Sequence, residues 1–347
     1  MSFKITTQPI ERTFTAAGNE TVLDAAIQAH VGLPYGCKAG VCGACKCKVV
    51  SGEISYGDQP PTLLTQEEQD AGMILTCKAQ AQSDLVLDVD LVVSQDPLPV
   101  RKFKAQVQTL ERISDDVMRI ILSLPQNADF RFYAGQFIEF ILPDGSRRSY
   151  SMANAPQGEE QKSSLIELHL RLMPGGKFTP YVFNQMQENE AVQLEGPFGT
   201  FFLRENSKKP IILLASGTGL APIKAILEHM QAKKSRRTVT LYWGGNRPKD
   251  LYLQDWVQQQ TKNMPNLTYI PVISAALPQD NWQGRTGFVH HAVMADFPDL
   301  SKHQVYACGS LVMVEAAKRD FVEQCQLKEK EFYADAFTSE RDQPSGS

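Results

Sequence analysis

The middle of this 347-residue chain alternates short β-rich stretches with turns that contain proline and glycine. The stretches run over Ala105–Leu110, Val117–Leu122, Phe137–Leu142, Leu165–Leu172 and Ala191–Leu194. Several short strands at close spacing are typical of a small β-barrel or sandwich. We therefore predict a domain of that kind over residues 103–205.

The pattern changes after Pro210, where apolar runs begin to alternate with helix-like stretches. The predicted strands are Ile211–Ala215, Val239–Trp243, Tyr269–Ile273 and Val305–Cys308, and the predicted helices are Ala221–Lys233 and Val312–Gln324. Alternation of strands with helices is typical of βαβ units, which build a parallel sheet. Residues 206–340 are therefore predicted to form an α/β domain.

A third segment, residues 1–94, ends in a strand-like alternation over Leu85–Leu91. Residues 95–102 follow it, and we predict a linker there because they carry two prolines and show no periodicity. Residues 341–347 are predicted to be a frayed tail. The pattern thus divides the chain into three domains, and its length is sufficient to bury ordinary hydrophobic cores.

The composition is that of an ordinary globular protein, with 42% hydrophobic and 21% charged residues. No run approaches the roughly 18 apolar residues of a membrane helix, and the first residues lack the apolar core of a signal peptide. We therefore expect a cytoplasmic protein without membrane contact. In a reducing compartment the seven cysteines are considered first as metal ligands or reactive thiols.

The net charge of −4, from 35 basic and 39 acidic residues, argues against nucleic acid as a partner. The charge is also uneven along the chain. Residues 1–96 carry 6 Lys/Arg and 12 Asp/Glu, whereas the remaining residues carry 29 and 27. An acidic N-terminal domain can guide docking to a partner protein, or it can simply keep the domain soluble.

The cysteines give the most specific chemical signal. Cys37, Cys42 and Cys45 follow the spacing C-x4-C-x2-C, and Cys77 lies 32 residues after Cys45. A 2Fe–2S cluster takes four thiolates, and this spacing is the plant-type ferredoxin arrangement. Zinc is disfavoured, because Cys77 has no second ligand at short spacing. We therefore expect these four cysteines to hold a 2Fe–2S cluster.

Two further features of this segment concern its packing. Gly36, Gly40 and Gly43 allow the loop to wrap closely, so that backbone N–H groups can point at the sulfur atoms. Cys47 follows Cys45 by two residues in an alternating stretch. We interpret Cys47 as a thiol that faces the core rather than as a ligand.

With this motif, residues 1–92 resemble a plant-type ferredoxin domain, and the rest of the chain resembles the ferredoxin–NADP reductase superfamily. The combined order is similar to that of the reductases of bacterial ring-hydroxylating oxygenases and, equally, of the CDP-6-deoxy-glucoseen reductases of deoxysugar synthesis. The resemblance implies a β-grasp α+β ferredoxin domain, an antiparallel β-barrel that binds FAD and an α/β parallel-sheet domain that binds NAD(P)H.

The segment Arg148–Ser151 matches the R-x-Y-S flavin motif of that superfamily. The arginine suits the flavin pyrophosphate, because it is a cation with a fixed fork of donors. The resemblance implies that Tyr150 stacks on the isoalloxazine or the ribityl chain and that Ser151 hydrogen-bonds near flavin N5. Taken alone, an arginine and a tyrosine on a strand are more often ordinary barrel surface.

A second match consists of Gly175, Gly176 and Thr179, just after a predicted strand. It fits the superfamily's G-x-x-S/T turn, which opens a helix whose N-terminus can hold a phosphate. The alternative is a glycine-rich turn with Thr179 as a helix cap. Two matches at family-like separation, followed by Glu195–Gly199, favour flavin binding, and the resemblance favours FAD over FMN.

A candidate pyrophosphate site follows the predicted strand Ile211–Ala215 directly. A buried strand, a glycine-rich turn and a proline in the first helical turn form such a site, here with Gly217, Thr218, Gly219 and Pro222. The segment reads G-T-G-x-A-P and lacks the third glycine of the dinucleotide fingerprint. A bare tight turn is therefore the alternative.

The end of the next predicted strand carries Arg247, Lys249 and Asp250. In the superfamily this strand end meets the adenosine, so Arg247 or Asp250 can touch the ribose, although either can simply be solvated. Arg247 and Lys249 leave NADPH open as the substrate. The resemblance to oxygenase reductases favours NADH.

Two motifs near the C-terminus complete the expected catalytic set. Cys308 and Gly309 match the C-G motif that places a thiol near nicotinamide C4, although a strand-end cysteine is otherwise a small buried hydrophobe. Asp335 and Phe337 match an acidic residue and an aromatic that return to the flavin, where Phe337 can cover the ring and yield to nicotinamide, or merely anchor the tail. The resemblance therefore implies that Ser151, Cys308, Asp335 and Phe337 are catalytic.

These motifs together predict an oxidoreductase that takes hydride from NADH onto FAD and passes single electrons through a 2Fe–2S cluster to a partner. The partner is a terminal oxygenase or its ferredoxin, or alternatively the sugar dehydratase served by a glucoseen reductase. A passive electron carrier is the alternative from another class. We expect a monomer. His290 and His291, adjacent on a helix, are predicted to point in different directions and not to form a joint metal site.

Overall fold

The computed structural model describes residues 1–58, 60–92, 96–125, 127–157 and 163–338, which divide into two compact units. One unit contains Met1–Val100 with Phe198–Thr200, and the other contains Arg101–Pro197 with Phe201–Phe337. In the described part of the chain, no helix is long and apolar enough to cross a membrane. The first residue of the predicted linker and the predicted tail, residues 341–347, lie outside the described residues.

The first unit is an α+β arrangement around a mixed sheet. Its elements are β1 (Ser2–Gln8), β2 (Arg12–Ala17), α1 (Val22–Gln28), β3 (Lys46–Ser51), β4 (Ile54–Ser55), α2 (Gln66–Asp70), β5 (Met73–Leu75), β6 (Gln80–Ala81) and β7 (Leu85–Asp88). The strand order is β2-β1-β7-β3-β5, with β1 and β7 parallel and the other neighbours antiparallel. The predicted α+β ferredoxin fold is therefore confirmed.

Local chemistry explains where α1 begins and which face it buries. Thr21 precedes the helix, and its side-chain oxygen accepts a hydrogen bond from the backbone N–H of Asp24 at 3.0 Å. Val22 and Leu23 are buried at the start of the helix, together with Ala26 one turn later. The loop from the end of α1 to β3 carries three of the four predicted cluster cysteines, so α1 and the sheet fix both ends of that loop.

The first half of the second unit is an antiparallel sheet with one helix. Its elements are β8 (Arg101–Ser114), β9 (Val117–Ser123), β10 (Phe137–Ile141), β11 (Arg147–Ser151), β12 (Leu165–Arg171), α3 (Phe178–Asn184) and β13 (Ala191–Phe198). The strand order is β11-β10-β13-β8-β9-β12. Buried side chains such as Val107, Ile120 and Leu168 share one hydrophobic core. The predicted antiparallel flavin domain is therefore confirmed as a fold.

Strand β8 begins at Arg101, so the last two residues of the predicted linker are strand. Arg101 pairs with Gly196 and Lys102 pairs with Glu195 in the ladder with β13. Two charged residues show no apolar alternation, so the sequence pattern did not predict a strand there. Because they pair with β13, the strand begins two residues before the predicted domain.

The second half of this unit is a parallel sheet covered by helices. Its elements are β14 (Ile211–Ser216), α4 (Leu220–Ala232), β15 (Val239–Gly245), α5 (Gln254–Asn263), β16 (Leu267–Ile273), β17 (Arg285–Thr286), α6 (Val289–Asp296), β18 (Gln304–Ser310), α7 (Leu311–Gln324) and β19 (Phe332–Phe337). The order is β17-β16-β15-β14-β18-β19, and every neighbouring pair is parallel. This confirms the predicted α/β domain.

The parallel sheet also explains why apolar runs in the sequence predicted its strands. Ile211–Ala215 is fully buried, because helices cover a parallel sheet on both faces. The strand order reverses direction on either side of β14, where the chain first runs outward to β15 and later returns to β18. Ligands of such sheets bind at the carboxyl ends of the strands beside this reversal. The turn at Gly217–Gly219 lies at that position.

Candidate cluster, flavin and nucleotide sites

The four predicted cluster cysteines lie in one unit, and the structure brings them together in two pairs. The Sγ atom of Cys45 lies 3.2 Å from that of Cys77. The backbone N–H of Cys37 donates to Cys42 Sγ at 3.4 Å, and the N–H of Ala39 donates to Cys37 Sγ at 3.4 Å. Free thiols with backbone donors aimed at sulfur are what a 2Fe–2S cluster requires, so these residues fit the group.

The close path of the cysteine loop depends on two glycines. Gly40 and Gly43 have φ values of +84° and +68°, in the left-handed region that favours glycine. A Cβ on Gly40 would lie 2.9 Å from the side chain of Lys78. Gly36 does not adopt a positive φ, so the predicted need for glycine applies to Gly40 and Gly43.

The cysteines of this segment differ in acidity. The hydrogen bond from Cys42 lowers the pKa of Cys37 to about 5, and the same contact raises the pKa of Cys42, so the two sulfur atoms share one proton. Cys47 on β3 is only 3% exposed, and burial raises its pKa to about 12. Cys47 is thus a buried neutral thiol, in the position that its alternating sequence indicated.

The R-x-Y-S segment forms β11, an edge strand of the flavin sheet that pairs with β10. The ring of Tyr150 packs against Phe140 and Phe178, with ring centroids 5.8 Å away in both cases. Burial raises the pKa of Tyr150, so its hydroxyl stays protonated. The half-buried Arg148 is the strand's next side chain on the same face. The geometry supplies a fixed aromatic platform beside a cation, as the flavin prediction requires.

The second flavin motif forms a turn that its own threonine holds together. Gly175 has φ +82°, and a Cβ placed there would meet open space. The Thr179 side-chain oxygen accepts a hydrogen bond from the N–H of Met173 at 2.8 Å. Thr179 lies inside α3 rather than at its cap, which is Lys177. Gly176 and Thr179 therefore shape the turn, and their contact with a phosphate stays a prediction.

Three of the four expected catalytic residues converge at the end of the parallel sheet. The hydroxyl of Ser151 donates to Asp335 Oδ2 at 2.8 Å, and the thiol of Cys308 lies 3.8 Å from the same oxygen. Cys308 and Asp335 are paired residues of β18 and β19. Burial, and then the nearby Asp335 carboxylate, raise the pKa of Cys308, so the thiol is neutral. Phe337, two residues beyond Asp335, packs half-buried against the core of this sheet.

The glycines of the two nucleotide motifs let two turns approach each other. Gly217 has φ +52° and Gly309 has φ +136°. A Cβ on Gly219 would lie 2.2 Å from the carbonyl oxygen of Cys308, and one on Gly309 would lie 2.2 Å from Ser216 Oγ. Any side chain at Gly219 or Gly309 would therefore push the ends of β14 and β18 apart.

The remaining members of the predicted pyrophosphate site are Thr218 and Pro222. Thr218 is buried within the turn, and Pro222 is buried in the first turn of α4. A helix tolerates a proline at that position, because the N–H groups of its first turn have no intrahelical partners. The turn and helix start thus have the shape of a phosphate site, and the contacts of the individual residues stay predictions.

The two predicted ribose contacts are already engaged within the protein. The guanidinium of Arg247 donates to both carboxylate oxygens of Asp280, at 2.6 and 2.5 Å. Asp250 Oδ2 accepts hydrogen bonds from the backbone N–H groups of Asn246 and Arg247. Arg247 is therefore a neutralised cation, and Asp250 shapes the loop in which it lies.

Arg171, at the end of β12, is a candidate that the sequence motifs did not reveal. A Cβ on Gly217 would lie 2.8 Å from Arg171 Nη1, so the guanidinium contacts the glycine-rich turn. Its Nε forms an ion pair with Asp116 at 3.1 Å, whereas Nη2 is buried and has no hydrogen-bond partner among the described residues. A buried donor without a partner indicates a missing acceptor. The only sequence signal was a basic residue at a strand end next to the flavin motif.

The sequence motifs also did not reveal a buried network of charged and polar side chains. Lys224 Nζ, on α4, lies 3.1 Å from Glu167 Oε2 and 2.6 Å from Glu228 Oε1. The other oxygen of Glu167 contacts His169 at 2.8 Å, and His169 in turn contacts the Tyr252 hydroxyl at 3.0 Å. Burial by itself raises the pKa of Glu167, but the hydrogen bond to His169 and the charge of Lys224 together have the larger effect and lower this pKa to about 2. The network ties the flavin sheet to the helix that follows the nucleotide turn.

Comparison with known families covers each part of the chain. Residues 5–82 match the 2Fe-2S iron-sulfur cluster binding domain, residues 104–203 the oxidoreductase FAD-binding domain and residues 213–319 the oxidoreductase NAD-binding domain. These matches confirm the predicted 2Fe–2S, FAD and NAD(P)H-binding domains.

Several curated proteins match over the whole chain. The CDP-6-deoxy-L-threo-D-glycero-4-hexulose-3-dehydrase reductase of Yersinia pestis is 40% identical over 97% of this chain and 99% of its own length. Reductase component 1 of terephthalate 1,2-dioxygenase from Comamonas is 34% identical over 100% of both chains. Among solved structures, the Amycolatopsis cytochrome P450 reductase is 31% identical and superposes with a TM-score of 0.80, covering 97% of this chain and 99% of that chain.

Proposed function

Because this chain belongs to the family of reductases that join a 2Fe–2S ferredoxin domain to FAD- and NAD-binding domains, we propose that its partner is a CDP-hexulose dehydrase. The chain is an NAD(P)H-dependent flavin and iron–sulfur oxidoreductase. When bound, FAD accepts hydride from NAD(P)H, and the cluster accepts and passes on electrons one at a time. The residues around these groups set distance, orientation and proton position.

The choice of partner rests on one observation. Identity to the Yersinia dehydrase reductases is 40% over nearly the full length, whereas identity to the oxygenase reductase components is 30–34%. This ranking favours the sugar dehydrase, which the sequence motifs left as the alternative. The reductase of an oxygenase remains the second candidate, because those relatives also match over nearly all of this chain. We place the protein in the cytoplasm.

Reconstitution with purified acceptors tests this assignment. The whole chain, loaded with FAD and iron, is mixed with NADH and either a CDP-6-deoxy-4-hexulose 3-dehydrase with its sugar nucleotide or a phenol hydroxylase with phenol. We expect NADH oxidation that depends on both the dehydrase and its sugar nucleotide, with a reduced sugar product. Turnover with the phenol hydroxylase and its phenol, but not with the dehydrase and its sugar nucleotide, would assign the protein to the oxygenase reductases instead.

At the flavin edge, Ser151 and Asp335 supply the protonic chemistry. The 2.8 Å hydrogen bond leaves the Ser151 proton between its own oxygen and a carboxylate that is 6% exposed. Such a pair can hold a proton near flavin N5 while excluding water. Cys308 adds a neutral thiol at the same carboxylate, where it fixes the approach of nicotinamide rather than carrying charge.

Replacing Cys308 with alanine is expected to slow flavin reduction by NADH about tenfold, or roughly 1.4 kcal/mol in the barrier. The reason is lost orientation at the nicotinamide end of the sheet. FAD and iron content should stay normal, and stopped-flow absorbance measures the rate. Cys325→Ala is a matched control, because Cys325 is a buried thiol of the same domain. Reduction at the wild-type rate would leave Cys308 as a packing residue.

We propose NADH as the preferred substrate. Binding the 2′-phosphate of NADPH requires an available cation, and the Arg247 charge is neutralised by Asp280, whose side chain is 14% exposed. Lys249, which is 71% exposed and lies 3.3 Å from Asp115, is the cation that keeps NADPH as the alternative substrate. This pairing of Arg247 supports a site that accepts the ribose hydroxyl and disfavours an added phosphate.

The substitution Asp280→Asn is expected to raise kcat/KM for NADPH about tenfold, equivalent to roughly 1.4 kcal/mol. The amide still accepts the hydrogen bond of the Leu277 N–H but no longer neutralises Arg247. Steady-state kinetics with both nucleotides gives the measurement, and the exposed Asp255→Asn on α5 is the control. An unchanged NADPH/NADH ratio would remove Arg247 from the specificity site.

The acidic ferredoxin domain is expected to steer the partner. Several of its acids are exposed, namely Glu53, Asp58, Glu67 and Asp70. At saturating NADH and limiting acceptor, the rate should fall as ionic strength rises to about 1 M, where the screening length is about 3 Å. Glu67→Gln should reduce the slope of the salt dependence. A rate that is flat with salt would mean that the acidic surface serves solubility only.

A further inference from the structure

Two adjacent histidines and an aspartate converge between α6 and α7. One nitrogen of each imidazole of His290 and His291 and one carboxylate oxygen of Asp320 all lie within 4.8 Å of one another. The two ring centroids are 4.2 Å apart. The prediction that these histidines point in different directions is therefore wrong. Their Cβ atoms are a 100° step apart on the helix, but the side-chain torsions bring the rings together.

The distances within this group suit a metal better than a hydrogen bond. His290 Nε2 lies 3.4 Å from Asp320 Oδ2, which is longer than the usual 2.7–3.2 Å of an N–H···O hydrogen bond. Two ligands of a tetrahedral zinc ion, with bonds of about 2.0–2.1 Å, are separated by about 3.4 Å. The ligand atom of His291 lies within 4.8 Å of those of His290 and Asp320. Because His291 is exposed, rotation of its side chain can bring this nitrogen to the distance that a shared ion requires.

Two of the three proposed ligands are buried. His290 and Asp320 are each only 6% exposed. Because His290 Nε2 faces Asp320, the other ring nitrogen, Nδ1, points away from Asp320 and cannot bind the same ion. Nδ1 is buried and has no hydrogen-bond partner in the part of the chain that the structure describes, so an ordered water would satisfy it.

The surroundings of the group prepare it for a cation. Asp320 Oδ1 accepts hydrogen bonds from Arg319 at 3.0 Å and Gln324 at 3.5 Å, which orients the carboxylate and leaves Oδ2 facing His290.

We propose that His290, His291 and Asp320 bind a divalent transition-metal ion of the zinc class, with water completing the coordination beside the exposed His291. Two imidazoles and one carboxylate favour zinc, nickel or copper over magnesium or calcium, which prefer oxygen ligands. The ion would clamp α6 to α7. This site is independent of the partner proposed above and separate from the cluster cysteines of the other unit.

Zinc content of the whole, iron-loaded protein tests the proposal. After equilibrium dialysis against Zn²⁺, elemental analysis of zinc and iron in the same sample is expected to give one zinc per chain with iron unchanged. His291→Ala and Asp320→Asn should lose that zinc. His30→Asn is the control, because His30 is exposed in the other unit, and asparagine tolerates its positive φ. Equal zinc in wild type and His291→Ala would overturn the site.

Copper provides a second readout that does not depend on fold stability. The oxidised 2Fe–2S cluster has no net spin, so the electron paramagnetic resonance signal of added Cu²⁺ is not obscured. We expect nitrogen couplings from two imidazoles in the wild type and from one in His291→Ala. Identical spectra for the two proteins, or zinc that enters only as iron leaves, would reject binding by these histidines.

Discussion

Replacing Cys42 with serine is expected to remove the 2Fe–2S cluster and abolish electron delivery to a protein acceptor, while FAD stays bound. Cys42 lies within the cysteine loop and accepts the N–H of Cys37 at 3.4 Å, whereas the flavin motifs belong to the other unit. A missing thiolate leaves one of four ligand positions open. Iron analysis, the visible spectrum and cytochrome c reduction measure the loss.

The same chain offers a matched control for this experiment. Cys47 is a buried thiol on β3, two residues after Cys45, so Cys47→Ser perturbs core packing beside the cysteine loop without removing a predicted ligand. It should retain iron and cytochrome c reduction. Ferricyanide, a small acceptor that draws electrons from reduced flavin directly, should remain active with both variants. Native iron content in Cys42→Ser would remove that residue from the ligand set.

The sequence predicted the elements whose burial follows a simple pattern. The run Ile211–Ala215 differs from β14 by one residue, because a strand buried on both faces is continuously apolar. Edge strand β11 was not among the predicted β-rich stretches, since Arg147–Ser151 is mostly polar. Helix α5 was also missed, because few of its residues, such as Val257 and Gln260, are buried.

The sequence predicted the local motifs better than the contacts between them. The cysteine loop and the glycine turns are short segments whose residue types nearly determine their shape. By contrast, Ser151 and Asp335 are 184 positions apart, and their hydrogen bond depends on how β11 and β19 meet. Lys224 lies within the predicted helix Ala221–Lys233, and no sequence pattern connects it with Glu167.

Replacing Lys224 with methionine is expected to lower the free energy of unfolding of the second unit by about 3 kcal/mol. Breaking a buried ion pair costs roughly 3–5 kcal/mol, because the remaining charge loses its partner. The low end applies, since Glu167 keeps its contacts with His169 and Arg119. The urea midpoint for FAD release gives the measurement. The exposed Lys233→Met, at the end of the same helix, should be close to neutral.

A second substitution distinguishes charge from packing at this position. Adding Glu167→Gln to Lys224→Met removes the carboxylate that has lost the Lys224 charge, so the double variant should recover part of the stability that the lysine variant loses. Lys224 is also bonded to the carbonyl of Ala153 at 3.1 Å, which lies two residues after Ser151. We therefore expect flavin reduction by NADH to slow in Lys224→Met, because α4 would lose its fixed position against the flavin sheet. Wild-type stability and reduction rate in that variant would show that the buried network does not hold the nucleotide turn against the flavin.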